Sequence, residues 1–477
     1  MIRRILSLTL AIALTGCTLG PNYRERPPVA AATGPLQVGL AVDPAGPLPD
    51  RWWSLYNDPV LDRLVEEALR HNSDLRVAVA NLERAQAVLG EQRAALLPTT
   101  EVDSSLSHER NQNSGYKATT VGGAGFSLNY ELDLFGRVRR SIEAARADAQ
   151  ATEAARDATR VTVAAATTQD YFDTCLLGLR QDVAQQSLQL VTQLYQGLQR
   201  QVALGVGSQY DLSRQGVLVE QQRAVVNQLD GLRAQALYDL TRLLGRPATQ
   251  VPAEAIACRT APRLARPIPV GDGAALIRRR PDVRQAERTL AASTARIGVA
   301  VADLFPTVTL GGSVTASGTS FKSATSRQGV SFGFGPGLTW FFPNIVAARA
   351  RVREAGAQAR ADLASFDGAV ITALSDVEKA LAAYDGEIRR NQSLETAFAN
   401  ARRAYQISLT RVRLGSISQL ELLDVERDLV STQSDLAQSD AALGDDQVLL
   451  FRTLGGGWQD VPPVDPTPRA LTGTAKP

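Results

Sequence analysis

Between Phe126 and Leu134 the chain alternates: Phe126, Leu128, Tyr130, Leu132 and Leu134 are apolar, while Ser127, Asn129, Glu131 and Asp133 are polar. Successive side chains of a strand point to opposite faces, so this period of two predicts a strand with one apolar and one wet face. The pattern returns at Val330, Phe332, Phe334, Leu338 and Trp340 against Ser331, Gly333, Gly335, Gly337 and Thr339. It is weaker over 100–108 (Val102, Leu106) and 306–317 (Val308, Leu310, Val314). Glycine- and serine-rich stretches at 110–121 and 318–328 would join the four strands as two hairpins.

Around the hairpins the period changes. Residues 60–97 place Leu61, Leu64, Ala68, Leu75, Val79, Leu82 and Leu89 at helical spacing, predicting a helix that Pro98 ends. Two proline-free runs follow the hairpins, 137–203 and 347–413. At ~1.5 Å per residue each would make a helix of roughly 100 Å, far beyond an ordinary globular helix. The stripe Leu176, Leu179, Val183, Ser187, Leu190, Leu194, Leu198 and Gln201 advances by threes and fours, the seam of a coiled coil, and calls for a packed partner. Gly205-Val206-Gly207-Ser208 reads as a helix stop followed by an N-cap, with Asp211 placed to complete a capping box. Gly415-Ser416-Ile417-Ser418 with Glu421 repeats that chemistry, so each long run should end in a helical hairpin with a four-residue tip.

These parallels are one unit written twice. Asp74-Leu75-Arg76 and Pro98-Thr99 recur as Asp282-Val283-Arg284 and Pro306-Thr307 at an offset of 208. Tyr195-Gln196, Val202, Leu204-Gly205, Ser208-Gln209 and Leu244-Gly245 recur at an offset of 210. The expected domains are therefore a first repeat at 58–250, a Pro-rich linker at 251–267, a second repeat at 268–460 and a flexible tail at 461–477. Ahead of them, Arg3 and Arg4, the apolar run Ile5 to Leu14 and small residues before Cys17 make a secretory signal over 1–16. The run is too short to span a bilayer. Leu14-Thr15-Gly16-Cys17 resembles the bacterial lipobox, which makes Cys17 the lipidated first residue of an extended segment at 17–57, and Thr18 rather than Asp favours the outer membrane.

No later apolar run is long enough for a transmembrane helix, so any span must be made of strands. Four strands of ~10 residues fit a membrane-spanning barrel in length but cannot close one, whereas three chains would supply about twelve. Composition narrows the chemistry. The chain has 51 basic and 49 acidic residues, and loss of Arg3 and Arg4 with the signal equalises them, which disfavours a nucleic-acid surface. Two histidines, His71 and His108, and three cysteines, Cys17, Cys175 and Cys258, are too scattered for a metal cluster. Gly333, Gly335 and Gly337 alternate along a strand instead of opening a helix, so they make no phosphate loop, and no catalytic triad is visible. Cys175 lies ~45 Å up the long helix from Gly205 and Cys258 follows the return helix at a similar height, so a disulfide and two unpaired buried thiols are both open.

The residues that carry a family likeness are Gly20-Pro21-Asn22-Tyr23 after the lipobox, Trp52-Trp53 with Asp58-Pro59, Glu131-Leu132-Asp133-Leu134-Phe135-Gly136, Arg278-Arg279-Arg280-Pro281-Asp282 and Leu454-Gly455-Gly456-Gly457-Trp458. With them nearly the whole mature chain resembles the TolC-like outer membrane factors, in the lipoprotein (NodT-like) branch that serves RND-type efflux pumps. Trp340-Phe341-Phe342-Pro343-Asn344 departs from the Phe-Asp-Gly-Gly turn of many members. The resemblance implies a mainly α fold with a small β part: a homotrimeric outer membrane β-barrel, four strands per chain, continued by a helical coiled-coil tunnel into the periplasm. It implies a passive, non-enzymatic conduit that exports small molecules such as drugs, docked through tips at Gly205, Ser208, Gly415 and Ser418 onto a periplasmic adaptor (a membrane fusion protein) and an inner-membrane pump. A periplasmic gate would lie just past the tips, at Asp211, Leu420, Glu421 and Asp424. No cofactor or metal is expected beyond the covalent lipid on Cys17, and the contact outside the pump would be outer membrane lipid, not nucleic acid. The rival readings are a channel for protein or peptide secretion and a lipid-anchored coiled-coil adaptor.

Overall fold

The computed structural model describes residues 18–24, 36, 42–43, 46, 48–110, 118–260, 263–264, 266–343 and 345–465. The signal peptide, Cys17 and the tail beyond 465 lie outside these residues. Helices α1 (Pro59–His71) and α2 (Ser73–Ala94) precede strands β1 (Thr99–Arg110) and β2 (Ala118–Leu132). Helix α3 (Arg137–Ala203) and its return α4 (Gln209–Leu243) complete the first half. The second half repeats the order: α5 (Gly273–Arg279), α6 (Pro281–Ala302), β3 (Thr307–Gly318), β4 (Val330–Thr339), α7 (Ile345–Arg413) and α8 (Gln419–Thr453).

The helix expected over 60–97 is two helices. Asn72 leaves the helical conformation at ψ 133° and its buried side-chain oxygen accepts from Asp74 N at 2.9 Å and Leu75 N at 3.2 Å, so it ends α1 and caps α2. β2 also stops earlier than the alternation suggests. Asp133 turns out of the strand to accept from Val138 N and Arg139 N, both at 3.0 Å, and so opens α3 at the expense of two further strand residues.

The chain folds as two compact units, one of residues 1–26, 81–153 and 284–368, the other of 27–80, 154–283 and 369–477. The first unit holds a four-stranded antiparallel sheet in the order β1-β2-β3-β4, so the second hairpin pairs directly with the first and β1 and β4 are its edges. Small residues, Ala147, Ala291 and Ala292, let its helices meet around Tyr23.

The second unit holds the main core. Trp52 and Trp53 are fully buried; Trp52 stacks on Phe451 at 4.5 Å, and Tyr56 meets Phe172 edge-on at 4.8 Å. Asp58 caps α1 through Val60 N at 2.8 Å and accepts from Tyr171 Oη at 2.7 Å. Arg279 donates to Leu454 O at 2.7 Å, Arg280 to Thr453 O at 2.9 Å, and Trp458 Nε1 to Arg279 O at 3.2 Å. The Trp-Trp, Asp-Pro, Arg-Arg-Pro-Asp and Leu-Gly-Gly-Gly-Trp motifs are thus one packed cluster, in which removing a buried Trp side chain costs ~3–5 kcal/mol. Among the described residues no helix is long and apolar enough to cross a membrane.

Candidate functional site

The sheet sorts its side chains by chemistry. Register places Val102, Phe126, Val314 and Phe332 in one row across all four strands, with Leu128 and Phe334 on either side of Gly312 and Tyr130 beside Leu310 in neighbouring rows of the same face. The opposite face carries Glu101, Ser127, Ser313 and Gly333 in one row and Asp103, Gly125, Thr315 and Ser331 in another. The apolar face is bare: Val102 is 80% and Phe332 85% exposed. In water such a face is an error of folding, and against hydrocarbon it is the ordinary exterior of a barrel wall. Both edges present unpaired backbone groups, which lipid does not tolerate.

At the lower junctions the chain passes from strand to helix under tight control. Arg137 pairs with Glu131 through Nε at 2.9 Å, and Phe135 stacks on Phe305 at 4.8 Å. On the other side, at Trp340-Phe341-Phe342-Pro343, Trp340 stacks on Phe342 at 4.8 Å and donates to Leu304 O at 3.2 Å, and the Phe342–Pro343 peptide is cis. The segment that follows Cys17 is docked here. Arg140, 2% exposed, donates to Leu19 O at 3.1 Å, Gly20 O at 3.3 Å and Asn22 Oδ1 at 2.6 Å, while Tyr23 donates to Glu287 at 2.9 Å.

The two hairpin tips are built alike but not identically. Gly205 and Gly415 take φ of 74° and 68°, a left-handed conformation that ends α3 and α7 and that a β-carbon would strain. Val206 N and Ser416 N return to the carbonyls of Gln201 and Arg411 at 3.0 and 2.9 Å. Ser418 and Glu421 form the full capping box: Glu421 N donates to Ser418 Oγ at 3.2 Å and Ser418 N to Glu421 Oε2 at 3.0 Å. In the first tip only half of it forms. Ser208 Oγ accepts from Asp211 N at 3.4 Å, but the Asp211 side chain, one methylene shorter than glutamate, does not reach back to Ser208 N. Asp211 is half-buried, Glu421 and Asp424 are exposed, and the Leu420 side chain lies outside the described ones.

Behind the tips Leu176, Ser187 and Leu198 of the predicted stripe are buried, but between them the seam is turned towards Ala184 and Val191. Ala184 packs on Val226 and Leu229, and Val191 on Leu218 and Val219, whereas Leu190 and Leu194 are only half-buried. Each residue advances ~100° around a helix, so a seam centred on Val191 leaves Leu190 on its flank.

Some residues here gave no signal in the sequence. Glu426 on α8 is fully buried with neither carboxylate oxygen hydrogen-bonded, and burial pushes its pKa up to about 7. The nearby Tyr405 hydroxyl is pushed to about 12, chiefly by burial and then by the Glu426 charge. At the matching place in the first half stands Gly216, with Tyr195 against it. Cys175 and Cys258, which the sequence left open between a bridge and free thiols, are joined by a disulfide, and Arg233 steadies the crossing by donating to Ile256 O at 2.6 Å and Cys258 O at 3.2 Å.

A sheet with a bare apolar face, joined to helices of 67 and 69 residues that turn back at capped tips, defines an outer membrane channel of the TolC kind. The sequence pattern of the family described as "Outer membrane efflux protein" matches residues 64–246 and again 274–456. The chain is 31% identical over 496 residues to the probable efflux pump outer membrane protein TtgC of Pseudomonas putida, covering 96% of this chain and 97% of that one. It is 29% identical over 457 residues to nodulation protein T of Rhizobium leguminosarum bv. trifolii, covering 94% and 97%. The solved outer-membrane channel OprN superposes with a TM-score of 0.84 at 32% identity, covering 93% of this chain and all of that one. The chain belongs to the outer membrane efflux protein family, and its place is the outer membrane.

Proposed function

We propose that three copies of this chain close a twelve-stranded barrel, each β4 pairing with the β1 of its neighbour, and that the barrel opens into a periplasmic tunnel made by α3, α4, α7 and α8. The apolar row Val102, Phe126, Val314, Phe332 with its polar reverse carries this reading, because it makes a wall with lipid outside and water inside. The expected domains keep their roles: the repeats at 58–250 and 268–460 supply the wall and tunnel, and the linker at 251–267 crosses between them.

The conduit is passive and takes small molecules, drugs among them, from an inner-membrane pump through a periplasmic adaptor seated on the tips at Gly205, Ser208, Gly415 and Ser418. Three copies each of Leu420, Glu421, Asp424 and Asp211 would converge at the periplasmic end, where rings of carboxylates repel anions and attract cations. Cys17 carries a lipid as a second anchor beside the barrel. The docking of residues 19–23 beside the strand-to-helix junction supports that placement. The test is conductance: purified protein should form discrete, cation-selective channels in planar bilayers and should need detergent even when Cys17→Ser removes the lipid. A protein that stays soluble without detergent and never conducts would instead be an adaptor.

A further inference from the structure

The far end of the sheet, away from the helices, carries chemistry that conduction does not use. In the loop after β3, Ser320 caps a one-turn helix, Phe321–Ala324: Ser323 N donates to Ser320 Oγ at 3.3 Å and Ser320 N to Ser323 Oγ at 2.9 Å. This turn folds over the apolar face of the sheet, so close that a β-carbon on Gly318 would meet Ala324 N at 2.5 Å. Between turn and sheet lies a cavity of about 470 Å³, lined by Leu106, Gly122, Ala124, Ala316, Phe321 and Ala324. Of the seven sheet residues around it, all but Gly123 belong to the apolar face.

Above the cavity Phe321 is 86% exposed. Lys322 follows it and Arg327 lies six residues on in the same loop, both exposed and neither in an ion pair among the described residues. No Asp or Glu occurs in the chain between Asp303 and Glu354, so this hairpin has no acid of its own to neutralise them. An exposed aromatic, an apolar cavity continuous with a lipid-facing wall, and two cations in the same loop, one next to the lining residue Phe321 and one two residues past the lining residue Thr325, match an amphiphile with an acidic head.

We propose that this loop is a binding site for an outer-leaflet lipid whose phosphorylated head carries net negative charge, one acyl chain entering the cavity under Phe321 and the anionic head meeting Lys322 and Arg327. The site rests on the barrel reading, because only then does the cavity open into hydrocarbon. A water-soluble ligand would have to pass lipid to enter it.

The full-length protein in detergent is titrated with lipid A and, separately, with dioleoylphosphatidylcholine, and bound lipid is counted by native mass spectrometry. Lipid A should be retained and phosphatidylcholine should not. Lys322→Gln combined with Arg327→Gln should weaken retention about thirty-fold, from two cations each worth about 1 kcal/mol beside an anionic surface. Phe321→Ser should weaken it about tenfold through lost apolar contact. Equal retention of lipid A by the wild type and the charge-neutral variant overturns the proposal, and so does equal retention of phosphatidylcholine. Conductance of the same preparation separates the two readings. A conducting protein indifferent to lipid A overturns the lipid site alone, while a protein that neither inserts nor conducts overturns the channel beneath it.

Discussion

Glu426 sits two residues beyond Asp424, so the first buried turn behind the exposed acids of the second tip contains a carboxyl with no hydrogen-bond partner. Burial favours its neutral form, with a folded pKa near 7 against an ordinary value near 4.5. The folded protein therefore keeps this proton where the unfolded chain has lost it. The contribution of Glu426 to stability is greatest below about pH 4.5 and falls as pH rises towards 7, by a total on the order of 3 kcal/mol at 1.36 kcal/mol per unit. Glu426→Gln should match the wild type in urea unfolding at pH 4 and exceed it at pH 8. A second residue-scale expectation concerns Arg140. Its removal orphans Leu19 O, Gly20 O and Asn22 Oδ1, at a cost of ~1–3 kcal/mol, and by untying this segment should speed trypsin cleavage at the already exposed Arg24 in folded protein. The capping serines were legible because their partners lie three residues away. Glu426 and Arg140 were not, since an acid or a base within a helix reads as a solvated face until the chain that covers it is known.

The elements that sequence exposes best are those whose cause is local. Proline-free runs became α3 and α7, and alternation became four strands. The break at Asn72 was hidden because the apolar spacing runs through it and only a side chain turning back onto Asp74 N reveals it. The seam position was hidden for another reason: Leu190 and Val191 are equally apolar, and only the arrival of Leu218 and Val219 decides which is inside. The tip elements carry two expectations. Leu420→Ala with Asp424→Ala, four apart on one helical face, should widen the periplasmic entrance and raise single-channel conductance about two-fold or more while channels still form. Unchanged conductance would move the constriction elsewhere. Cys258→Ser should remove a cross-link spanning 83 residues, lowering stability by ~2–4 kcal/mol and abolishing the change in gel mobility that reductant produces in the wild type.

For the whole molecule the decisive feature is a sheet with two unpaired edges and a bare apolar face in one chain. Solubilised protein should have the mass of a trimer, and a stable monomer in detergent would defeat the barrel. Family membership was readable from short motifs, yet several of those motifs proved to be core packing, with Trp52 on Phe451 and Arg279 on Leu454 O, so they identify the fold without touching the cargo. What passes through is set by side chains spread along a wall, which leave no short motif. The open edges have a genetic corollary. A subunit that accepts a neighbour at β1 but cannot offer its own β4 would behave as a chain terminator, drawing normal subunits into pairs that never close. Co-expressed at equal dose, with about one ring in eight then free of it, such an allele should be dominant over the wild type.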